Sequence, residues 1–465
     1  MTERITWLLR DIGRARRQGP PGLAARQRDR LADQVAYART HSPYYRDLFR
    51  RLPDRVETSE CLPASTKPQL MERFDDWVTD PAVTLTEVRA FVDDPATIHQ
   101  RFHGKYRVLT SSGSTGARGI YLLDQRDQAV TTALTLRFFL SILSAPDYVQ
   151  VLARGARVAG LVAVGGHFAS SLAIPQGNKL NRLYRIFPAS TRLPDLVEQL
   201  NRFRPAILVG YASLIALLAG EQQAGRLHID PALVMPGSEG LPLGGYDTLA
   251  EVFGAKVRNA YSACELLQPI GACRYQWLHV NSDWAILEPV DADYQPTPPG
   301  QPSHTVLISN LANRVQPFLR YDLGDSVRMR PDPCPCGSPF PAIRVQGRAA
   351  DTLKLRTETG ALVRLSPLTL GTVIDRTPHV EIYQIEQTSP ATLRVRFHSV
   401  PGTHADEVWN TMHANITRLL HQQQLDNVEV QRASEPPQQS TSGKYRRIIP
   451  LSAGLVEDPS SPDQT

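Results

Sequence analysis

A chain of 465 residues, 42% hydrophobic and 21% charged, has the composition of an ordinary globular protein, long enough for a large core and more than one domain. Its net charge of +5 is spread thinly, without the basic stripe that nucleic-acid binding needs, so no nucleic-acid partner is expected. The arginines between Arg10 and Arg30 alternate with Asp11, Asp29 and Asp33 and read as the solvated face of helices. No long apolar core follows Met1, and the most apolar stretch, Ala206 to Gly220, is too short for a membrane span. A cytoplasmic protein with no membrane partner is therefore expected. Cys61, Cys264, Cys273, Cys334 and Cys336 are an odd set, which in that setting favours metal binding or free thiols over disulfides.

Along the chain, residues 1–50 are expected to be helical, with Trp7-Leu8-Leu9 and Leu31-Ala32-Val35-Ala36 near the helical period. Ser42-Pro43 breaks that run and starts a new turn of helix. A hydroxyl residue ahead of Gln69-Leu70-Met71, in Leu62 to Lys67, has the look of a helix cap. From about residue 105 to 340, strand and helix patterns alternate. Strands are expected at 107–110, 119–123, 158–164, 205–209, 233–235 and 256–259, and helices at 126–143 and 212–219. That alternation predicts an α/β fold with a large N-terminal domain built on largely parallel sheets. A second pattern starts near Gly347, with strands at 380–386, 393–397 and 427–431 and a helix at 406–423. It predicts a small, mobile C-terminal α+β domain. The expected division is 1–346, 347–452 and a disordered tail at 453–465 that lacks any core-forming pattern.

Between the first two strands lies Ser111-Ser112-Gly113-Ser114-Thr115-Gly116. Its glycines let backbone N–H groups turn inward and its hydroxyls add donors, which suits phosphate oxygens. A solvated turn is the alternative, and no lysine follows in the manner of a nucleotide-binding P-loop. Cys334-Pro335-Cys336-Gly337 forms a tight knuckle, and Cys273 precedes His279 with five residues between them. Three thiolates and one imidazole could close a tetrahedral zinc site; core residues and a turn are the alternative.

Eight segments in order resemble the adenylate-forming superfamily, and within it the phenylacetate–CoA ligase-like branch. They are His41 to Arg46, Leu62 to Lys67, Ser111 to Gly116, Gly237-Ser238-Glu239-Gly240, Tyr261 to Glu265, Arg320 to Asp325, Gly347 to Asp351 and Ser442-Gly443-Lys444. The resemblance spans almost the whole chain. It implies an ATP-dependent, AMP-forming ligase that activates a small, aryl-type carboxylic acid and passes it to a thiol, CoA first among candidates. Ser111, Ser112, Gly113, Ser114, Thr115 and Gly116 would grip the leaving phosphates, with Arg118 nearby. Glu265 would hold Mg²⁺, a hard cation that takes oxygen ligands. Tyr261, Ser238 and Glu239 would border the adenylate, Asp325 would accept from the ribose hydroxyls, and Arg348 would touch ribose or phosphate. Lys444 would bridge carboxylate and α-phosphate and then withdraw. Each has a plainer alternative: a cap glutamate, a core tyrosine, a turn aspartate, a solvated lysine.

His167, Phe168, Tyr211, Gly237 and Ser262 are the candidate substrate pocket, with core packing equally open for Phe168 and Tyr211. Some relatives in the branch also bind zinc through a set like Cys273, His279, Cys334 and Cys336. Four departures from the family pattern stand out: Ala117 after the phosphate loop, Ser262 for glycine, Ala350 in the hinge, and Leu355 to Ala361 in place of a glycine-rich loop that helps receive CoA. They keep other outcomes open: an amine or carrier-protein acceptor, nitrite activation for diazotisation, or a non-catalytic nucleotide-binding relative. The sequence is silent on assembly, and a homodimer would be unsurprising.

Overall fold

The computed structural model describes residues 5–110, 119–162, 164, 166–169, 183–238, 240–241, 244–348, 351–365, 370–371, 373–374, 377–400, 402–438 and 446–451. The N-terminal region is helical as expected. Ile5–His41 runs as one helix broken at Gly19, whose φ of 66° lies outside the helical region, followed by Pro20 and Pro21. Its buried Leu8 and Ile12 pack on Val130, Ala133 and Leu134 of the helix Gln125–Ile142.

Ser42 then caps the helix Pro43–Leu48, accepting from the Tyr45 backbone N–H at 3.3 Å. Tyr45 Oη and Trp77 Nε1 both donate to the Pro317 carbonyl, at 3.0 and 2.7 Å. Buried Tyr45 thus anchors the chain just ahead of Arg320. Leu62 to Lys67 docks beside it: the Ser65 N–H donates to the Arg320 carbonyl at 3.0 Å, and the Asp322 N–H to the Ser65 carbonyl at 2.8 Å.

Strands β1 (Arg107–Thr110) and β2 (Ile120–Leu123) form an antiparallel pair in which Thr110 faces Ile120. Next come β3 (Val158–Val162), β4 (Tyr184–Pro188), β5 (Ile207–Tyr211), β6 (Leu233–Gly237), β7 (Lys256–Val257) and β8 (Ala260–Ala263). These pair in parallel, β4-β3-β5-β6-β8 with β7 also on β6. The helices Leu193–Phe203, Ala212–Gln223 and Gly245–Phe253 connect them. Leu161, Leu208 and Val234 of the sheet share a core with Leu200, Ile215, Leu218 and Leu249 of those helices. Buried parallel strands of this kind carry near-continuous apolar runs, which is why their sequences are legible.

The same sheet continues antiparallel through β9 (Leu266–Ala272) and β10 (Leu278–His279). A separate antiparallel sheet comprises β11 (Ala285–Val290), β12 (Thr305–Asn310) and β13 (Tyr321–Asp322). Beyond it, β14 (Asp325–Met329) and β15 (Ala342–Arg348) complete the large sheet's edge. Gly271 lets the helix Gln125–Ile142 lie on β9, since a Cβ there would fall 2.0 Å from Phe138 Cδ2.

A further core begins at Leu353. Strands β16 (Leu353–Arg356) and β17 (Leu362–Leu365) form a hairpin. β18 (Val380–Ser389), β19 (Thr392–Ser399), β20 (Glu429–Arg432) and β21 (Ile448–Ile449) form a sheet in the order β20-β19-β18-β21. Tyr383, Ile385, Leu393 and Val395 pack on Met412, Ile416 and Leu420 of the helix Ala405–Gln422. The α/β class and the strands and helices expected from the sequence are present, shifted by a few residues at their ends. Among the described residues no single helix is long and apolar enough to cross a membrane.

Candidate active site

Tyr211, Gly237 and Ser238, and Glu265 just past β8, lie at the carboxyl ends of parallel strands, where ligands of open α/β sheets bind. Tyr211 ends β5 and pairs with Gly237, which ends β6 and pairs in turn with Ala260 of β8. Tyr211 is only 3% exposed and belongs to the helix–sheet core, so it supports the site's floor. Ser238 follows in the left-handed region, with φ of 62°, and is exposed. Such backbone in a non-glycine residue marks a turn held by its surroundings.

Tyr261 on β8 donates its phenol to Asp325 Oδ2 at 2.5 Å. Asp325 opens β14, and its register partner across β15 is Arg348. Tyr261 and Asp325, 64 residues apart in sequence, thus meet side chain to side chain, and the backbone of Arg348 lies opposite Asp325. Ser262, the next residue on β8, is exposed.

Cys264 and Glu265 form the two-residue turn between β8 and β9, since Ala263 pairs with Leu266. Tyr321 donates to Glu265 Oε1 at 3.1 Å, and Tyr121 hydrogen-bonds the same carboxylate. Burial, then the charge on Glu265, pushes both phenols far above their usual range, so each stays a neutral donor at any working pH. The backbone carbonyl of Glu265 accepts from Asn310 Nδ2 at 3.1 Å. Among the described residues the side chains that donate to this half-buried carboxylate are uncharged phenols, an arrangement that fits a hard divalent cation such as Mg²⁺. Tyr121, Tyr321 and Asn310 were not singled out in the sequence. Tyr321 stands inside the matched segment Arg320 to Asp325, but nothing in the sequence says that its phenol reaches Glu265.

His167 is 2% exposed. Its Nε2 lies 3.1 Å from Thr97 Oγ1, its ring is 5.4 Å from that of Phe91, and its carbonyl accepts from the Thr110 N–H at 2.7 Å. It therefore steadies the end of β1, where the Ser-Gly run begins. Phe168 beside it is partly buried. A cavity of about 460 Å³ lined by Asp147, Lys256, Arg258 and Arg274 lies at the other end of the parallel strands and includes none of the candidate residues.

Cys273, His279, Cys334 and Cys336 converge, with their ligand atoms all within 4.8 Å of one another. Cys273 Sγ is 3.7 Å from Cys334 Sγ, and Cys336 Sγ is 3.2 Å from His279 Nε2. His279 Nδ1 faces the Phe340 carbonyl at 3.0 Å, which fixes a tautomer with Nε2 free to ligate. Burial lowers the His279 pKa, favouring the neutral imidazole a metal needs. Three sulfurs and one nitrogen at this spacing fit a closed zinc site.

Ser111, Ser112, Gly113, Ser114, Thr115, Gly116, Ala117, Arg118, Glu239, Ala350, Ser442, Gly443, Lys444 and the 453–465 tail lie outside the described residues. The flank of Lys444 is described. Arg446 Nε donates to Asp351 at 3.0 Å, and Arg447 Nη2 donates to the Gly240 carbonyl at 2.8 Å. The C-terminal sheet thereby reaches both the hinge segment and the turn after β6.

One buried carboxyl near the site was not anticipated. Asp127 is 0% exposed, accepts from Asn310 Nδ2 at 3.1 Å, and has no partner for Oδ2 among the described residues. Burial, then the nearby Asp124 charge, raises its pKa to about 7. A folded-state value above the usual carboxylate pKa of about 4 means that the stability it contributes is present in acid and lost as pH climbs through 7. Asp127→Asn is expected to stabilise the protein by roughly 1–3 kcal/mol at pH 8, the relieved ionisation cost less one unsatisfied amide. The gain should vanish near pH 4. Urea unfolding across that range checks it.

Sequence comparison matches no family model and no curated protein. The fold, however, is shared with solved structures. A 2-hydroxyisobutyryl-CoA ligase in its postadenylation state with 2-HIB-AMP superposes with a TM-score of 0.64 at 19% identity, over 94% of this chain and 90% of that one. The same ligase with 2-HIB-AMP and CoA in the thioesterification state gives 0.53 at 19% identity, over 92% and 89%. A benzoate CoA ligase from Burkholderia xenovorans gives 0.50 at 15% identity, over 73% and 67%. The chain shares the fold of these CoA ligase structures.

Proposed function

We propose that the protein is an ATP-dependent, AMP-forming ligase of the phenylacetate–CoA ligase-like branch acting on a small aryl carboxylic acid. A carboxylate oxygen attacks the α-phosphorus of ATP, the α–β anhydride bond breaks, and pyrophosphate leaves. The acceptor, CoA in the leading reading, then attacks the acyl carbon through its thiolate and AMP departs. The reading rests on one observation above all: Glu265 accepts from the Tyr321 phenol in the turn that follows β8, the strand whose Tyr261 bonds Asp325.

Ser111 to Gly116 bind the β- and γ-phosphates, and Asp325 takes the ribose hydroxyls while Tyr261, Ser238 and Glu239 border the base. Glu265 holds Mg²⁺, which when bound neutralises phosphate charge. Arg348 and Lys444 come from residues 347–452, a mobile domain in this reading, with Lys444 meeting the reacting oxygens. His167, Phe168, Tyr211, Gly237 and Ser262 surround the acid. Pyrophosphate release should require both Mg²⁺ and a carboxylic acid, tested on a panel of acids. Release that is independent of acid, or ADP formed in place of AMP, would overturn the assignment.

A second reading changes only the acceptor. Leu355 to Ala361 belong to an ordered hairpin, where the Thr357 N–H donates to the Ala361 carbonyl at 2.9 Å. It stands where relatives carry a glycine-rich loop that helps receive CoA, and that departure motivates an amine or a carrier-protein thiol in place of CoA. Leaving out CoA separates the two: product formed with an amine and no thioester favours the second.

The Cys273–His279–Cys334–Cys336 cluster holds zinc as a structural clip in this account. Purified protein should carry about one zinc per chain, and Cys336→Ser should lower Tm by several degrees, as expected for losing a ligand of a closed site. Equal Tm with and without a strong chelator would contradict it.

A further inference from the structure

We propose that Asn310 is a positioning residue for Glu265, and that the turn 310–316 sets the spacing between Glu265 and β2, the strand that follows the Ser111–Gly116 run. The inference rests on Glu265 being the Mg²⁺ ligand. Asn310, Asn313 and Gln316 are 1%, 2% and 0% exposed. Amides that deep are tolerated only when their donors and acceptors are used, so where those bonds go shows what the turn holds.

At one end, Asn310 Nδ2 donates to the Glu265 carbonyl and to Asp127 Oδ1, both at 3.1 Å. Its Oδ1 accepts from the Ala312 and Asn313 N–H groups at 2.9 and 3.3 Å, which locks the side chain to its own turn. At the other end, Gln316 mimics a neighbouring strand. Its Oε1 accepts from the Leu122 N–H at 2.7 Å and its Nε2 donates to the Ile120 carbonyl at 3.1 Å. Asn313 Nδ2 adds a bond to the Leu122 carbonyl at 2.7 Å. Between them, the Arg314 and Val315 N–H groups donate to Asp124 Oδ2 at 2.7 and 3.1 Å, tying in the cap of the helix Gln125–Ile142.

Two routes therefore lead from one turn to Glu265. Asn310 grips its main chain, and Gln316 grips β2, whose Tyr121 hydrogen-bonds the carboxylate. A two-residue hairpin tip has few contacts of its own and would otherwise rock. Held from both sides, the carboxylate keeps a set distance from the strand that leads out of the Ser-Gly run.

The test is Mn²⁺ binding, followed by electron paramagnetic resonance in the presence of ATP and without acid, so that no turnover is required. Asn310→Leu would also strip Asp127 of its partner, so it is compared on an Asp127→Leu background. Asp127→Leu alone should bind Mn²⁺ with ATP as the wild type does. Adding Asn310→Leu should weaken binding ~10-fold, the usual scale for losing a group that orients a ligand. Gln316→Leu, which leaves Asn310 and Asp127 in place, should do the same. On a Glu265→Gln background, Asn310→Leu should have no further effect. If Glu265→Gln weakens Mn²⁺ binding but Asn310→Leu and Gln316→Leu do not, the positioning role is overturned. If Glu265→Gln itself changes nothing, the metal assignment falls and this inference with it.

Discussion

Glu265→Gln is expected to lower pyrophosphate release ~10²–10³-fold, the scale on which removing one preorganised charge-stabilising group costs a reaction. Glutamine keeps the shape and leaves an oxygen for Tyr121 and Tyr321, so the cage around residue 265 should survive. The charge that balances the cation is what disappears. Two consequences follow from the geometry. The apparent Mg²⁺ requirement should rise, and the fold should hold its Tm within a few degrees, because Glu265 is half-buried and its carbonyl contact to Asn310 is untouched. Turnover within twofold of wild type would remove Glu265 from the mechanism.

Lys444→Ala should have an effect of the same size, ~10²–10³-fold, but confined to the first half-reaction. A lysine meeting the carboxylate and the α-phosphate offsets charge only while the adenylate forms. Transfer from a supplied acyl-adenylate to the acceptor should therefore run at the wild-type rate. Two and three residues further on from Lys444, Arg446 bonds Asp351 and Arg447 bonds the Gly240 carbonyl. Equal losses in both half-reactions would point to a fold defect, and no loss in either would sink the role given to Lys444.

The parallel half of the large sheet was legible because buried strands such as Val158–Val162 and Ile207–Tyr211 are apolar on both faces. The antiparallel half was not. β8, β9, β14 and β15 alternate or carry polar residues, and their partners are set by hairpins and by the pairing of β10 with β15, more than sixty residues on. The site was readable as motifs and unreadable as geometry. Tyr261 and Asp325 could be named from their segments, yet the phenol–carboxylate bond between them depends on strands sixty-four residues apart. The polar turn 310–316 had no signature, since Asn and Gln in a sequence suggest solvent. Here they are buried because their amides complete a strand edge and a hairpin tip. Cys273, His279, Cys334 and Cys336 were named as a set, and the sheet brings them together through pairing of β10 with β15 and β9.

The central claim is that an acid oxygen becomes bonded to the α-phosphorus of ATP. Carboxylic acid labelled with ¹⁸O tests it directly. Attack by the carboxylate and later release of AMP must leave one labelled oxygen in AMP, read by mass spectrometry. The account predicts that label in AMP and none in pyrophosphate. Label in inorganic phosphate, with ADP as the nucleotide product, would contradict it.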